Sequence, residues 1–226
     1  MPEAVPPPLA TILDDAYRAF ADVVRGLDDD ASWTPTGCTG WAARDLVFHC
    51  LADAQRALVA LHTPADREPD VDAVGYWAAW TPGGTGAANG RRWARVSASM
   101  FAQWSPLREL CLETAAAVRL AATTSEPSAV VATQGHALRV DDLLSTLAVE
   151  ATVHHLDLVA HLPEAPRPAT SGLREVRRVL DGLLGRPEPV GWDDVRYALA
   201  ATGRVELTAL EREQLGADVE RLPLLG

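Results

Sequence analysis

The stretch from Asp141 to Leu162, DDLLSTLAVEATVHHLDLVAHL, decides how the rest of the chain is read. At 3.6 residues per turn, Leu143, Leu147, His154, Leu158 and His161 share one arc with Glu150, while Val149, Val153, Leu156 and Val159 cover the other side. A helix apolar nearly all round belongs in a protein interior. Glu150 and His154, four residues apart on it, are then not ordinary surface groups, because an unpaired carboxylate in such surroundings is costly or gives up its charge. They need a partner, and a metal ion is one; the plain alternative is an i,i+4 pair or a satisfied core histidine.

Working outward, the chain has 226 residues and 48% hydrophobic content, enough to bury a real core. Its net charge of −11 disfavours nucleic acid or an anionic membrane as partner, and leaves a homodimer open. The absence of a long apolar run and of a basic, apolar leader at MPEAVPPPLA leads us to expect a cytoplasmic protein. Cys38, Cys50 and Cys111 show no C-x-x-C spacing, which speaks for reduced thiols rather than a disulfide framework or a thiolate zinc site. All 20 basic residues are Arg, so Schiff-base chemistry and a P-loop lysine are excluded for this chain.

Upstream, Leu9, Ile12, Leu13, Ala16, Phe20, Val23 and Leu27 recur at helical intervals and predict an amphipathic helix. SWTPTGCTGW at 32–41 reads as a loop. A second helix is expected from about Ala43 to Leu61, without a Ser or Thr cap at Ala42. His49 falls just outside its apolar face, in a row with Asp45, Asp53 and Arg56; periodicity reads it as solvated or carboxylate-paired, the counter-reading being that Asp53 or Asp45 supports a metal-bound His49. Arg44 is expected to complement Asp45. The Gly-rich 63–90 stretch reads as a long loop with a short helical turn near Tyr76–Trp80, and Trp77 and Trp80 can wall a pocket or merely cover the core. A third helical region from Arg91 is expected to break at Ser105-Pro106 and continue to about Ala122. Residues 123–140 carry some extended character, with His136 in a turn. Beyond the prolines at 163–168, helices are expected near 172–184, 192–201 and 209–215. The organisation expected is a four-helix bundle over 1–165 and a helical extension over 166–226 that packs on it.

The segments WTPTGCTGWAARDLVFH (33–49) and LAVEATVHHLDL (147–158), with TGR at 202–204 and ERLPLLG at 220–226, resemble the DinB-like metalloenzyme superfamily, in its mycothiol-dependent maleylpyruvate isomerase amino-terminal branch. The resemblance implies an all-α DinB-like four-helix bundle with a short helical C-terminal extension, and metal ligands at His49, Glu150 and His154, with Zn²⁺ the usual metal. It overrides the periodicity reading of His49. Two His and one Glu leave open positions, as in catalytic rather than structural sites, although the same set also suits Ni²⁺, Fe²⁺ or Mn²⁺. The implied chemistry is a metal-bound thiolate, from mycothiol or another low-molecular-weight thiol, adding to a small electrophile in S-transfer or isomerisation, with the 63–90 loop shaping the pocket. Asp53 and Asp157 are candidates to support the ligands, a structural salt bridge being the plainer account of Asp157. The rival is a non-catalytic metal- or ligand-binding bundle that acts as a dimerising module. Filling of every metal position by protein, with His155 or Asp157 joining the three, would favour it. Plain metal-dependent hydrolysis is a third option if a general base stands nearby.

Overall fold

The computed structural model describes residues 7–78 and 85–225. The first helix, α1 (Leu9–Gly26), buries Ile12, Leu13, Ala16, Phe20 and Val23 of the periodic set read from sequence, together with Val24, and the Pro8 carbonyl accepts from Thr11 N and Ile12 N in its first turn. A 3-10 turn (Ala31–Trp33) leads to the Pro35–Ala42 loop and α2 (Ala43–Leu61). Ala42 offers no side-chain acceptor, but the reciprocal half of a capping box survives: Asp45 Oδ2 accepts from Ala42 N at 3.0 Å. Asp45 is therefore not the partner of Arg44. Contrary to expectation, Arg44 is buried, donates to the Phe101 carbonyl at 2.7 Å and lies 4.2 Å over the Trp33 ring. The cation is used as a packing element between α2 and the loop that follows the fourth helix.

Where a long loop with a short helical turn near Tyr76–Trp80 was expected, α3 (Ala73–Ala78) forms close to that turn, and the helical region expected from Arg91 begins six residues earlier, as α4 (Thr85–Ala98). The glycines there suggested loop, yet α4 includes Gly90. A helical Gly costs about 1 kcal/mol relative to Ala, and packing offsets it: Ala94 and Ala98 are fully buried, and the Trp93 ring stands edge-on to Phe48 of α2 at 5.3 Å. The break expected at Ser105-Pro106 falls earlier, at 99–103, and α5 (Trp104–Thr124) starts at Trp104. The reason is tertiary. Asp29 Oδ1 accepts from Trp104 N at 2.8 Å, and the Leu27 carbonyl accepts from the Trp104 indole at 2.8 Å, so the end of α1 does the work assigned to Ser105.

The expected extended segment is an antiparallel hairpin, β1 (Val130–Thr133) with β2 (His136–Arg139), pairing Val131 with Leu138. His136 in it is paired with Asp70 at 3.2 Å and meets the Tyr76 ring edge to face. The hairpin hands directly into α6 (Val140–Val159), of whose 20 residues 15 are buried. That helix is the axis of the molecule. It packs on α1 and α2 on one side, and on the other forms an apolar layer with α7 (Thr170–Leu184) and α8 (Asp194–Ala201) through Val149, Val153, Leu156, Val176, Leu180 and Tyr197. Helices α1, α2, α5 and α6 make an all-α four-helix bundle. The close approach of α7 to α6 needs Gly172, because a Cβ there would overlap the Thr152 hydroxyl. A last helix, α9 (Ala209–Leu215), and a 3-10 turn (Gly216–Arg221) complete the C-terminal part. No helix among the described residues is long and apolar enough to cross a membrane.

Candidate metal centre

Helices α2 and α6 run against each other so that His49, Glu150 and His154 converge. Glu150 Oε1 lies 3.0 Å from His49 Nε2 and 3.3 Å from His154 Nε2. The two imidazoles stand edge to face with centroids 4.8 Å apart. One ligand atom from each of the three lies within 4.8 Å of the others. A divalent ion with bonds of about 2.0–2.2 Å to such atoms needs them a little over 3 Å apart, so both the donor chemistry and the spacing fit. Of the polar row on α2 that made His49 look solvated, His49, Asp53 and Arg56 line a cavity, while Asp45 caps the start of the helix.

That cavity, of about 650 Å³, has His49, Glu150 and His154 in its wall. Trp77 lies in the same wall and is buried; Trp80 lies outside the described residues. Cys38 and Trp41 line the cavity from the loop before α2, and Arg56 and Arg91 add positive charge in a chain of net −11. Neither His155 nor Asp157 joins the three ligand candidates at a common point. His155 is turned to the Pro166 carbonyl, 2.8 Å from its Nε2. Asp157, 1% exposed, faces the far nitrogen of His154: its Oδ2 accepts from His154 Nδ1 at 2.9 Å and from Cys38 Sγ at 3.2 Å. Arg204 completes the set, donating from Nε to Oδ1 and from its terminal nitrogen to Oδ2, both at 2.7 Å. Asp157 thus pairs with Arg204 and at the same time binds the imidazole of His154. Its neighbourhood is tight: Gly37 N donates to the Asp157 carbonyl at 2.9 Å, and a Cβ on Gly37 would sit 2.6 Å from Asp157 Oδ1.

The charges follow from this geometry. Burial pushes the Glu150 carboxyl up, but His154 and His49 outweigh it and hold the group well below the usual carboxylate range. Burial pulls His154 down, but the Glu150 charge, with hydrogen bonds to Asp157 and Cys38, holds it well above an ordinary histidine. Asp157 is raised by burial and lowered more strongly by His154 and Arg204. In the metal-free protein His154 is a cation between two carboxylates.

Asp53, also in the cavity wall, behaves in the opposite way. No hydrogen bond joins it to His49 among the described residues, where Glu150 Oε1 lies 3.0 Å from His49 Nε2 instead. Burial and the nearby Glu150 charge raise its carboxyl from 3.8 to about 6. The fold therefore favours neutral Asp53, and this contribution is lost as pH rises through about 6. Asp53→Asn is expected to stabilise the metal-free protein at about pH 8 by on the order of 2 kcal/mol, with the gain shrinking toward about pH 4. Melting curves at the two pH values check this; equal shifts would mean that the carboxylate is not strained.

Sequence reasoning missed two participants. Cys38 was read only as a reduced thiol, and Arg204 only as part of a resembling segment. The signal for Arg204 was weak, a lone Arg after a Thr-Gly turn; nothing local distinguished Cys38.

The all-α bundle is consistent with the DinB-like class, and in it two histidines and a glutamate face a cavity. The chain belongs to the mycothiol maleylpyruvate isomerase N-terminal domain family, whose sequence model matches residues 13–159. Its fold is similar to the crystal structure of the mycothiol-dependent maleylpyruvate isomerase, at 17% identity and a TM-score of 0.52, covering 80% of this chain and 70% of that one. A histidine-to-alanine mutant of that enzyme matches with the same values. No curated protein sequence matches the chain.

Proposed function

We propose that this protein is a divalent-metal-dependent enzyme that uses a low-molecular-weight thiol, mycothiol or a relative of it, to transfer sulfur to a small electrophile or to isomerise it. Family membership supports a thiol-dependent isomerase type of enzyme. The observation that carries the metal reading is the convergence of His49, Glu150 and His154 in the wall of a cavity, without a fourth protein group at that point among the described residues. Zinc is the metal we expect. A divalent cation held there would supply Lewis acidity that favours the thiolate form of a thiol near neutral pH.

The chain's own residues do the rest. Glu150 and the Nε2 atoms of the two histidines would hold the cation. Asp157 accepts a hydrogen bond from His154 Nδ1–H, which leaves Nε2 as the atom available to a cation beside Glu150. Asp53, on the cavity wall and with its carboxyl raised to about 6, is the candidate acceptor for the proton that leaves the thiol. Trp41 and Trp77 make the wall apolar and exclude water, while Arg56 and Arg91 orient an anionic group on the electrophile.

The test is metal content on protein purified without added metal, followed by assay of small electrophiles with and without thiol. Near-stoichiometric metal and conversion only in the presence of thiol support the reading. Failure to take up Zn²⁺, Ni²⁺ or Mn²⁺ on reconstitution would leave the rival, a non-catalytic ligand-binding bundle.

A further inference from the structure

We infer that the C-terminal extension is part of the metal centre, and that Arg204 is its positioning residue: it acts on the metal through Asp157 and His154 without being a ligand. The inference rests on the proposed function. Its basis is a continuous chain of contacts. Arg204 follows α8 at a turn that Gly203 makes at φ 71, and its own N–H is held by the Leu199 carbonyl at 2.8 Å. From there the side chain reaches the cavity wall with only 17% of its area exposed. Two of its nitrogens bind both oxygens of Asp157, and the third donates to the Thr202 carbonyl at 3.3 Å. The guanidinium is spent on orientation.

The consequence reaches the metal side of His154. Asp157 Oδ2 accepts from Arg204, from Cys38 and from His154 Nδ1, and the planar fork of Arg204 holds the carboxylate plane that makes the last of these bonds possible. With Nδ1 carrying the proton, Nε2 faces Glu150 Oε1 as the atom available to a cation. The same terminal region adds Leu225 to the cavity wall, and Leu224 N is tied to the end of α8 through the Ala201 carbonyl at 2.8 Å. A bundle ending at α6 has the three ligand candidates but lacks the group that fixes one of them.

The experiment is zinc affinity by chelator competition on the full chain, for wild type, Arg204→Ala, Arg204→Lys and Arg177→Ala. Loss of an outer partner of a ligand weakens metal binding by about 10–100-fold, and Arg204→Ala is expected in that range. Arg204→Lys should fall between it and wild type, because an ammonium cannot bridge both carboxylate oxygens. Arg177, paired with Asp194 and Glu188 in the same extension but away from the site, controls for lost stability: its variant should melt earlier and bind zinc as wild type does. Added guanidinium should restore affinity to Arg204→Ala alone. Wild type that takes up no zinc overturns this inference and the proposed function together. Wild type that binds while Arg204→Ala binds equally tightly, or weakened binding that tracks melting temperature and resists guanidinium, overturns this inference alone.

Discussion

Protein carrying Glu150→Ala is expected to leave purification without the metal that wild type retains, while still folding. The carboxylate is the one atom group that both histidines face, at 3.0 and 3.3 Å, so its removal leaves two neutral donors on opposite helices. That is a larger loss than the roughly 10–100-fold that follows removal of an outer partner. The fold should tolerate the change, since Ala is the strongest helix former and the neighbours of Glu150 on α6 are buried apolar residues. His154→Ala should lose metal in the same way. Elemental analysis beside a circular dichroism melt decides the matter. Metal retained at wild-type stoichiometry in either variant would remove these residues from the site. Cation uptake should also release protons at neutral pH, because His154 is held protonated in the metal-free protein and must give up the Nε2 proton; affinity therefore rises with pH.

Asp157→Asn is expected to cost about 3 kcal/mol of stability at neutral pH, the scale for removing one partner of a buried ion pair. The aspartate is 1% exposed and is the shared acceptor of Arg204, His154 and Cys38, so the amide leaves a guanidinium without its counter-charge in the interior. The pH dependence has a definite sign. Asp157 titrates below its unfolded value of 3.8, so its contribution is complete above about pH 4 and is lost as pH falls through the folded value. Wild type and variant should therefore differ most at neutral pH and converge in acid. Urea unfolding at several pH values measures this directly. A constant difference across the range would show that the charge on Asp157 does not stabilise the fold.

Much of the architecture was legible in short-range periodicity. Helix α2 runs from Ala43 to Leu61 as read, α1 and α6 agree to within a few residues, and α9 has the expected limits. Each of these has a buried face written in residues three and four apart. Only the start of α4 was hidden, because the glycines and small residues before Arg91 carry loop character, while the packing that holds the helix, Trp93 against Phe48 and Ala94 and Ala98 in the core, is tertiary. The start of α5 was misplaced for a similar reason: Asp29 and Leu27, far away in sequence, satisfy Trp104.

The sequence by itself determined an all-α bundle with one helix too apolar to be on the surface, and singled out Glu150 and His154 as groups needing a partner there. It also carried the motif that identified His49. What only the tertiary structure decided is which way the polar row of α2 faces. Periodicity records which residues share a side of a helix, but the side that meets water depends on what packs against it. His49 and Glu150 are 101 residues apart, Cys38 and Asp157 119, and Arg204 and Asp157 47. Contacts across such separations leave no local pattern, because they are made by the packing of helices rather than by the pitch of one.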